Sequence, residues 1–321
     1  MPLGEFEVIA RYFTRATPRR DVLLGVGDDA ALLAPPAGQA LVAATDTLVE
    51  GRHFLPGTPP VSIGHNALAV NLSDLAAMGA EPAWALLALS LPESDERWLE
   101  EFARGLHDLA TRHGVALVGG DTVAGPLVVT IAVLGFVPAD AALRRSGAKP
   151  GDAIYVSGTP GVAAAGLDLL RRGVMPFESS DPRVQRLLFA EPRLALGRAL
   201  RGRATAAMDV SDGLLGDLGK LARASTVGAV IEMERLPFAP VLADAYDGAQ
   251  CERLVLHGGD DYELLFTLPV DDAAERAAEI AAEAGCVVHR IGNIVAGESV
   301  RCLRAGREEP VTGRGHDHFA R

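Results

Sequence analysis

Six short stretches of this 321-residue chain share one form: an apolar run, one or two small residues, then an aspartate. Gly27-Asp28-Asp29 follows Val22 to Val26, and Thr45-Asp46 follows Leu41 to Ala44. Ser73-Asp74, Gly119-Gly120-Asp121, Asp209-Val210-Ser211-Asp212 and Gly258-Gly259-Asp260-Asp261 complete the set. One such stretch is a turn. Six of them at the ends of strands or helices point to carboxylates converging on hard cations. Mg²⁺ takes oxygen ligands and is commonly held by one or two carboxylates together with substrate phosphates. Two chemistries use such ions. A hydrolase uses them to activate water, and a phosphoryl transferase uses them to neutralise the charge that develops between β and γ oxygens. Metal-dependent hydrolases usually mix His with Asp at the ions, and here only His257 stands beside one of these aspartates. Arg145, in a Gly-bearing loop, suits two-pronged contact with phosphate. The residues alone thus favour magnesium-dependent phosphate chemistry and name no substrate. Each has a plainer role open to it: Asp28 as a turn residue, Thr45 as a strand residue, Arg145 as a partner of Asp152, Ser211 as a helix cap.

The elements that must position these groups follow from periodicity. Leu68, Leu72, Leu75 and Met78 recur at helical spacing, so a helix is expected over residues 66–82, with Gly79 and Pro82 as its stop signals. Asn71 and Asp74 fall three apart on one face of it. The alanines around them leave the helix able to pack closely on every side, and a buried carboxylate there needs a partner or a metal. Strands are expected at 22–26, 40–45, 83–91, 115–118 and 126–137. A helix over 95–113 should bury Trp98, Phe102, Leu106 and Leu109. The strands at 40–45, 83–91 and 126–137 are apolar enough to be buried on both faces. The polar, turn-rich stretch 138–152 divides the chain into an N-terminal domain, 1–138, and a C-terminal domain, 139–321. Strands at 153–157, 205–209, 229–233, 262–268, 287–295 and 299–304 are expected beyond it, with helices at 161–171, 193–201, 214–224 and 271–284. Mixed order with antiparallel neighbours favours an α+β fold over a doubly wound sheet.

Charge and composition narrow the function. A net charge of −12 argues against a nucleic-acid partner, which calls for a clustered basic footprint. Lysine occurs only at 149 and 220, and neither position can carry a P-loop. Cys251, Cys286 and Cys302 form no CxxC pair, which fits a reducing compartment. Met1 to Thr14 lacks the apolar core of a signal peptide, and no run of 18 apolar residues exists, so a cytoplasmic protein with no membrane span is expected.

Seven motifs in order carry a resemblance. They are Gly27-Asp-Asp-Ala-Ala31; Thr45-Asp-Thr-Leu-Val49 with Gly51-Arg-His-Phe54; and Asn71-Leu-Ser-Asp-Leu-Ala-Ala-Met-Gly79. Gly119-Gly-Asp-Thr122, Arg145-Ser-Gly-Ala-Lys-Pro-Gly-Asp152, Asp209-Val-Ser-Asp-Gly213 and Gly258-Gly-Asp-Asp-Tyr-Glu-Leu264 follow. Together with the closing Asp317-His-Phe319 they make the chain resemble the thiamine-monophosphate kinases. That family lies in the superfamily of aminoimidazole ribonucleotide synthetase, selenophosphate synthetase and the hydrogenase maturation dehydratase. The resemblance implies a two-domain fold whose N-terminal sheets pair into a barrel-like homodimer core. It implies direct, in-line, Mg²⁺-assisted transfer of phosphate from ATP to thiamine monophosphate, without a covalent nucleophile. It assigns metal contacts to Asp29, Thr45, Asp46, Asp74, Asp121, Asp209 and Asp212, and ATP contacts to Gly120, Asp121, Arg145 and Ser211. Substrate contacts fall to His53, Asp260 and His316. Three positions depart from the family pattern: Asp260 stands for a usual Glu, His316 for a usual aromatic residue, and Ala44 for a frequent hydroxyl residue. An amidine-forming synthetase and a non-catalytic nucleotide sensor are the competing readings.

Overall fold

In the computed structural model, residues 3–16 and 19–309 are described. The chain divides into two compact units, one of Met1–Leu75 with Ala80–Asp140 and the other of Ala76–Gly79 with Ala141–Arg321.

In the first unit a strand at Gln39–Val49 (β1) leads to a helix at Pro60–Ala77 (α1). Then come a strand at Glu81–Leu91 (β2), a helix at Glu96–Arg112 (α2), and strands at Ala116–Ala124 (β3) and Val128–Pro138 (β4). Among the described residues these strands form a four-stranded sheet in the order β1-β4-β2-β3, parallel only between β2 and β3. Helix α1 starts earlier than the periodicity suggests, because Pro60 is preorganised for a first helical turn. It also ends earlier. Gly79 adopts φ +67°, and Gly79 and Ala80 donate back to Ala76 and Leu75 in a closing Schellman turn, so Pro82 falls inside β2 instead of ending the helix. Helix α2 is capped by Asp95, whose carboxylate accepts from the Arg97 and Trp98 backbone. It buries Leu99, Phe102, Leu106 and Leu109 completely or nearly so, while Trp98 stacks on Phe102 with ring centroids 5.0 Å apart. The two helices touch backbone to backbone. A Cβ on Gly64 would stand 2.1 Å from the Phe102 carbonyl oxygen, and one on Gly105 would stand 1.9 Å from that of Val61.

The sheet of this unit has one covered and one partly open face. Val129, Ile131 and Val133 are fully buried on the side where Leu75 of α1 lies over Gly135. On the other side Leu41, Leu86 and Val123 are 49%, 38% and 50% exposed. The expectation of strands buried on both faces is therefore corrected: Val22, Ala31 and Leu33 pack over Trp84, Leu134 and Phe136 at one end of this face, while Leu41, Leu86 and Val123 remain exposed. Strand β1 is also far longer than 40–45, since its alternation continues through the polar Thr45-Asp46-Thr47.

The second unit carries a seven-stranded sheet. Its strands are Ala153–Ser157 (β5), Ala206–Val210 (β6), Gly228–Glu232 (β7), Glu263–Leu268 (β8), Val288–Val295 (β9), Val300–Arg304 (β10) and Arg307–Glu309 (β11). The order is β11-β10-β7-β9-β5-β8-β6, antiparallel except between β10 and β7. One apolar core joins Ile154, Val156, Met208, Val210 and Leu265 of the sheet to Leu214, Leu218 and Leu221 of a helix at Leu214–Ser225 (α3) and to Val255 and Leu256 of a helix at Gly248–His257 (α4). The start of helix α4 is marked by a capping box of Asp247 and Gln250. A further helix at Pro182–Leu188 has Asp181 as its cap.

Candidate active site

The first unit presents its carboxylates on both sides of the sheet. A hollow of about 910 Å³ opens on the partly open face and is lined by Gly27, Asp28, Asp29, Gly120, Asp121 and Thr130, among others. Asp28 turns the chain by accepting from the Asp29 backbone N–H at 2.8 Å. Asp121 stands opposite Ala88 on β2, which in turn stands opposite Thr130 on β4. Thr45 and Thr47 project to the same face, where the Thr47 and Thr130 hydroxyls bond at 2.8 Å and Thr45 Oγ1 donates to the Ile131 carbonyl at 3.1 Å. Asp46, one residue on from Thr45, pairs with Ile131 and so points to the face that α1 covers. Asp74 stands on α1 itself and is half-buried, while Asn71 one turn earlier is fully buried and donates its amide to the Ala67 carbonyl. The Asn71 side-chain oxygen is buried with no hydrogen-bond partner among the described residues. Gly120 is fixed by packing: at φ +151° a Cβ would stand 1.8 Å from the Leu87 carbonyl oxygen. His53 is exposed and accepts from the Val49 N–H through Nδ1, which leaves its proton on Nε2 when the ring is neutral.

The second unit gathers Asp209, Ser211, Asp212 and Asp260 at one sheet end. Asp209 is buried on β6. The stretch 258–262 lies along this strand's end, with Asp260 N–H donating to the Ser211 carbonyl and Tyr262 N–H to that of Val210, both at 2.9 Å. Asp260 and Tyr262 adopt φ +65° and +51° to make this fit, a conformation that Asp accepts more readily than most side chains. Ser211 does not cap α3; Gly213 occupies that position. Instead the loop is held by Asp217, a wholly buried carboxylate that accepts from the Ser211 and Asp212 backbone N–H groups at 3.0 Å each. Lys220 bridges Asp217, at 2.7 Å, and Asp212. Burial pushes the Asp217 carboxyl above the usual carboxylate range, although Lys220 pulls against it. The neighbouring Asp261, also wholly buried, accepts from the Gly161 N–H at 2.7 Å, and its burial pushes it up to about 8. Arg145 is exposed on a loop pinned by Ser225, whose hydroxyl donates to the Arg145 carbonyl and accepts from Gly147 and Ala148. Asp152 is engaged by the Lys149 N–H and the Thr205 hydroxyl. His316 lies outside the described residues.

Among the described residues no group of three or more His, Cys, Asp and Glu stands close enough to hold a metal ion by itself. The donors on offer are carboxylate and hydroxyl oxygens, with a lysine ammonium already bound at Asp212. That donor chemistry fits Mg²⁺ held through one or two carboxylates with phosphate and water completing its shell. Asp217 and Lys220 were missed in the sequence; their signal was the charge pair three apart on a helix that follows the Asp-rich loop.

Residues 27–137 match the family described as AIR synthase related protein, N-terminal domain, and residues 149–303 match the corresponding C-terminal domain. Over 325 aligned residues, spanning all of this chain and 99% of the relative, the sequence is 48% identical to the thiamine-monophosphate kinase of Escherichia coli (strain K12). The chain belongs to the thiamine-monophosphate kinase family. Its fold is similar to the crystal structure of the thiamine-monophosphate kinase from Stenotrophomonas maltophilia K279a. The TM-score is 0.87 at 45% identity, over 94% of this chain and 97% of that one. It is also similar to AaThiL complexed with AMPPCP and TMP, with a TM-score of 0.77 at 33% identity and 89% of both chains covered. Among the described residues no helix is long and apolar enough to cross a membrane.

Proposed function

We propose that this chain is a thiamine-monophosphate kinase, an enzyme that transfers the γ-phosphoryl group of ATP to thiamine monophosphate and yields thiamine diphosphate. The observation that carries this reading is full-length identity of 48% to a kinase of that name, joined to a fold shared with a relative solved with AMPPCP and TMP. The acceptor is a phosphate monoester, already charged at neutral pH, so the reaction needs no strong general base. Its difficulty is the repulsion between two anions in a chain that itself carries a net charge of −12. Bound Mg²⁺ would supply the neutralising charge on the reacting phosphates. Several such ions would be involved, with Asp29, Thr45, Asp46, Asp74 and Asp121 contributing ligands in the first unit and Asp209 and Asp212 in the second. Gly120 would let backbone approach phosphate closely, and Arg145 would contact ATP phosphate from its exposed loop. Ser211 would present a hydroxyl to the nucleotide. His53, Asp260 and His316 would position the acceptor. The exposed leucines and valine on the open sheet face support a homodimer joined there, and the three unpaired cysteines support a cytoplasmic setting.

The test is ADP release from Mg-ATP with thiamine monophosphate, with free thiamine and an acceptor-free mixture as controls. ADP and thiamine diphosphate appearing together, only with the monophosphate, is the expected result. ADP without any acceptor would make the protein an ATPase. Binding of Mg-ATP with no turnover would make it a nucleotide sensor.

A further inference from the structure

Lys220 is one of two lysines among the thirty basic residues of this chain. Its ammonium touches both Asp217 and Asp212. The two acids differ in kind. Asp217 is wholly buried and fixed, one oxygen receiving the Ser211 and Asp212 N–H groups and the other Lys220. It also stands three residues before Lys220 on the same helix, so that pair stays together whatever the loop does. Asp212 stands on the loop, is 31% exposed at its side chain, and takes its charge partner from the helix. Two carboxylates and one ammonium leave a net charge of −1, which a divalent cation would reverse. We propose that Lys220 is a built-in counter-ion that occupies Asp212 until Mg²⁺ binds there, then swings away while staying bonded to Asp217. This rests on the reading that Asp212 is a metal ligand. The ammonium suits the task because it is a point charge with three donors on a flexible four-carbon stem. A guanidinium would fork across both acids and hold them. Asp217 and Lys220 are thus positioning residues: one keeps the Asp-Val-Ser-Asp loop in shape, and the other keeps Asp212 from drawing other cations or collapsing onto a neighbouring donor.

The experiment is the rise in thermal midpoint of the full chain with Mg²⁺ concentration, which reports an apparent Kd without any turnover. In Lys220→Met the competitor is gone, and Mg²⁺ should bind about fivefold more tightly, the scale of a partly exposed ion pair. In Lys220→Arg the fork should weaken Mg²⁺ binding instead. The gain from Lys220→Met should vanish in an Asp212→Asn background. Circular dichroism of each variant establishes that it is folded; if Lys220→Met does not fold, Lys220→Arg decides. Unchanged or weaker Mg²⁺ binding in folded Lys220→Met, or unchanged or tighter binding in Lys220→Arg, overturns the counter-ion role. A wild-type Mg²⁺ response that Asp212→Asn leaves intact, or no response in the wild type, overturns the ligand reading beneath it, and the two failures are told apart by that variant.

Discussion

Arg193 closes a two-pronged ion pair on Glu263, with Nε 2.7 Å from one carboxylate oxygen and Nη2 2.6 Å from the other. Glu263 is 2% exposed and also receives Arg186 and the Ser157 hydroxyl. Burial alone would raise its pKa. Arg193 and Arg186 outweigh that and hold it below the usual carboxylate range. Glu263→Gln leaves two guanidiniums facing a neutral group, and breaking a buried pair in this way costs about 3–5 kcal/mol. Urea unfolding at neutral pH should show that loss. Because the folded pKa is depressed, the contribution is present above the ordinary glutamate value and fades as pH falls through the folded one. The wild type should therefore lose stability in acid more steeply than the variant.

The same pair shows what the sequence could and could not reveal. Glu263 lies inside Gly-Gly-Asp-Asp-Tyr-Glu-Leu, one of the stretches that carried the resemblance, yet in the fold it is a core ion pair at the head of β8. Its partners, Arg186 and Arg193, are 77 and 70 residues earlier in the chain. No local pattern marks so distant a pairing. Elements with strong periodicity, such as α2 and β5, were legible because burial there is decided by neighbours along the chain. The open face of the first unit's sheet was not, because apolar strand residues look alike whether a helix of the same chain covers them or something else does. Likewise the split of Thr45 and Asp46 to opposite faces follows from strand alternation once β1 is known to continue to Val49, and the sequence reading ended it too soon.

Asp261 works in the opposite pH direction from Glu263. Burial pushes it up to about 8, from an unfolded value near 3.9. The folded state then holds a proton that the unfolded chain has released. This stabilisation is complete below about pH 4 and is lost as pH rises through about 8. Asp261→Asn keeps an acceptor for the Gly161 N–H and removes the titration. The urea midpoint of the wild type should fall between pH 5 and pH 8.5 more than that of the variant. Parallel profiles would mean that Asp261 does not carry the effect.

Gly105 and Gly64 let α1 and α2 meet without side chains between them. Gly105→Ala places a methyl group 1.9 Å from the Val61 carbonyl oxygen, so the helices must part. Overpacking of this sort costs about 1–3 kcal/mol. Asp95→Ala, at the start of the same helix, removes a cap worth about 1 kcal/mol. Thermal unfolding of both variants should show lower midpoints, the first by more. Equal midpoints in Gly105→Ala and wild type would show that the helix pair can slide to admit the methyl group.

Asp74 offers the sharpest check on the metal assignment. It stands on α1 one turn after the fully buried Asn71, in a helix where Leu68, Leu72 and Leu75 are wholly buried. Asp74→Asn preserves shape and hydrogen-bonding capacity and removes only the negative charge. If that charge holds Mg²⁺ against the reacting phosphates, kcat for thiamine monophosphate should fall by about 100-fold or more, the scale at which loss of one charge-stabilising group is felt. Cooperative unfolding should persist, since the core leucines of the helix are untouched. ADP release and thermal unfolding measured on the same preparation separate the two effects. Near-normal turnover in a folded variant would take Asp74 out of the metal set and leave it a polar residue that joins its helix to a neighbouring group.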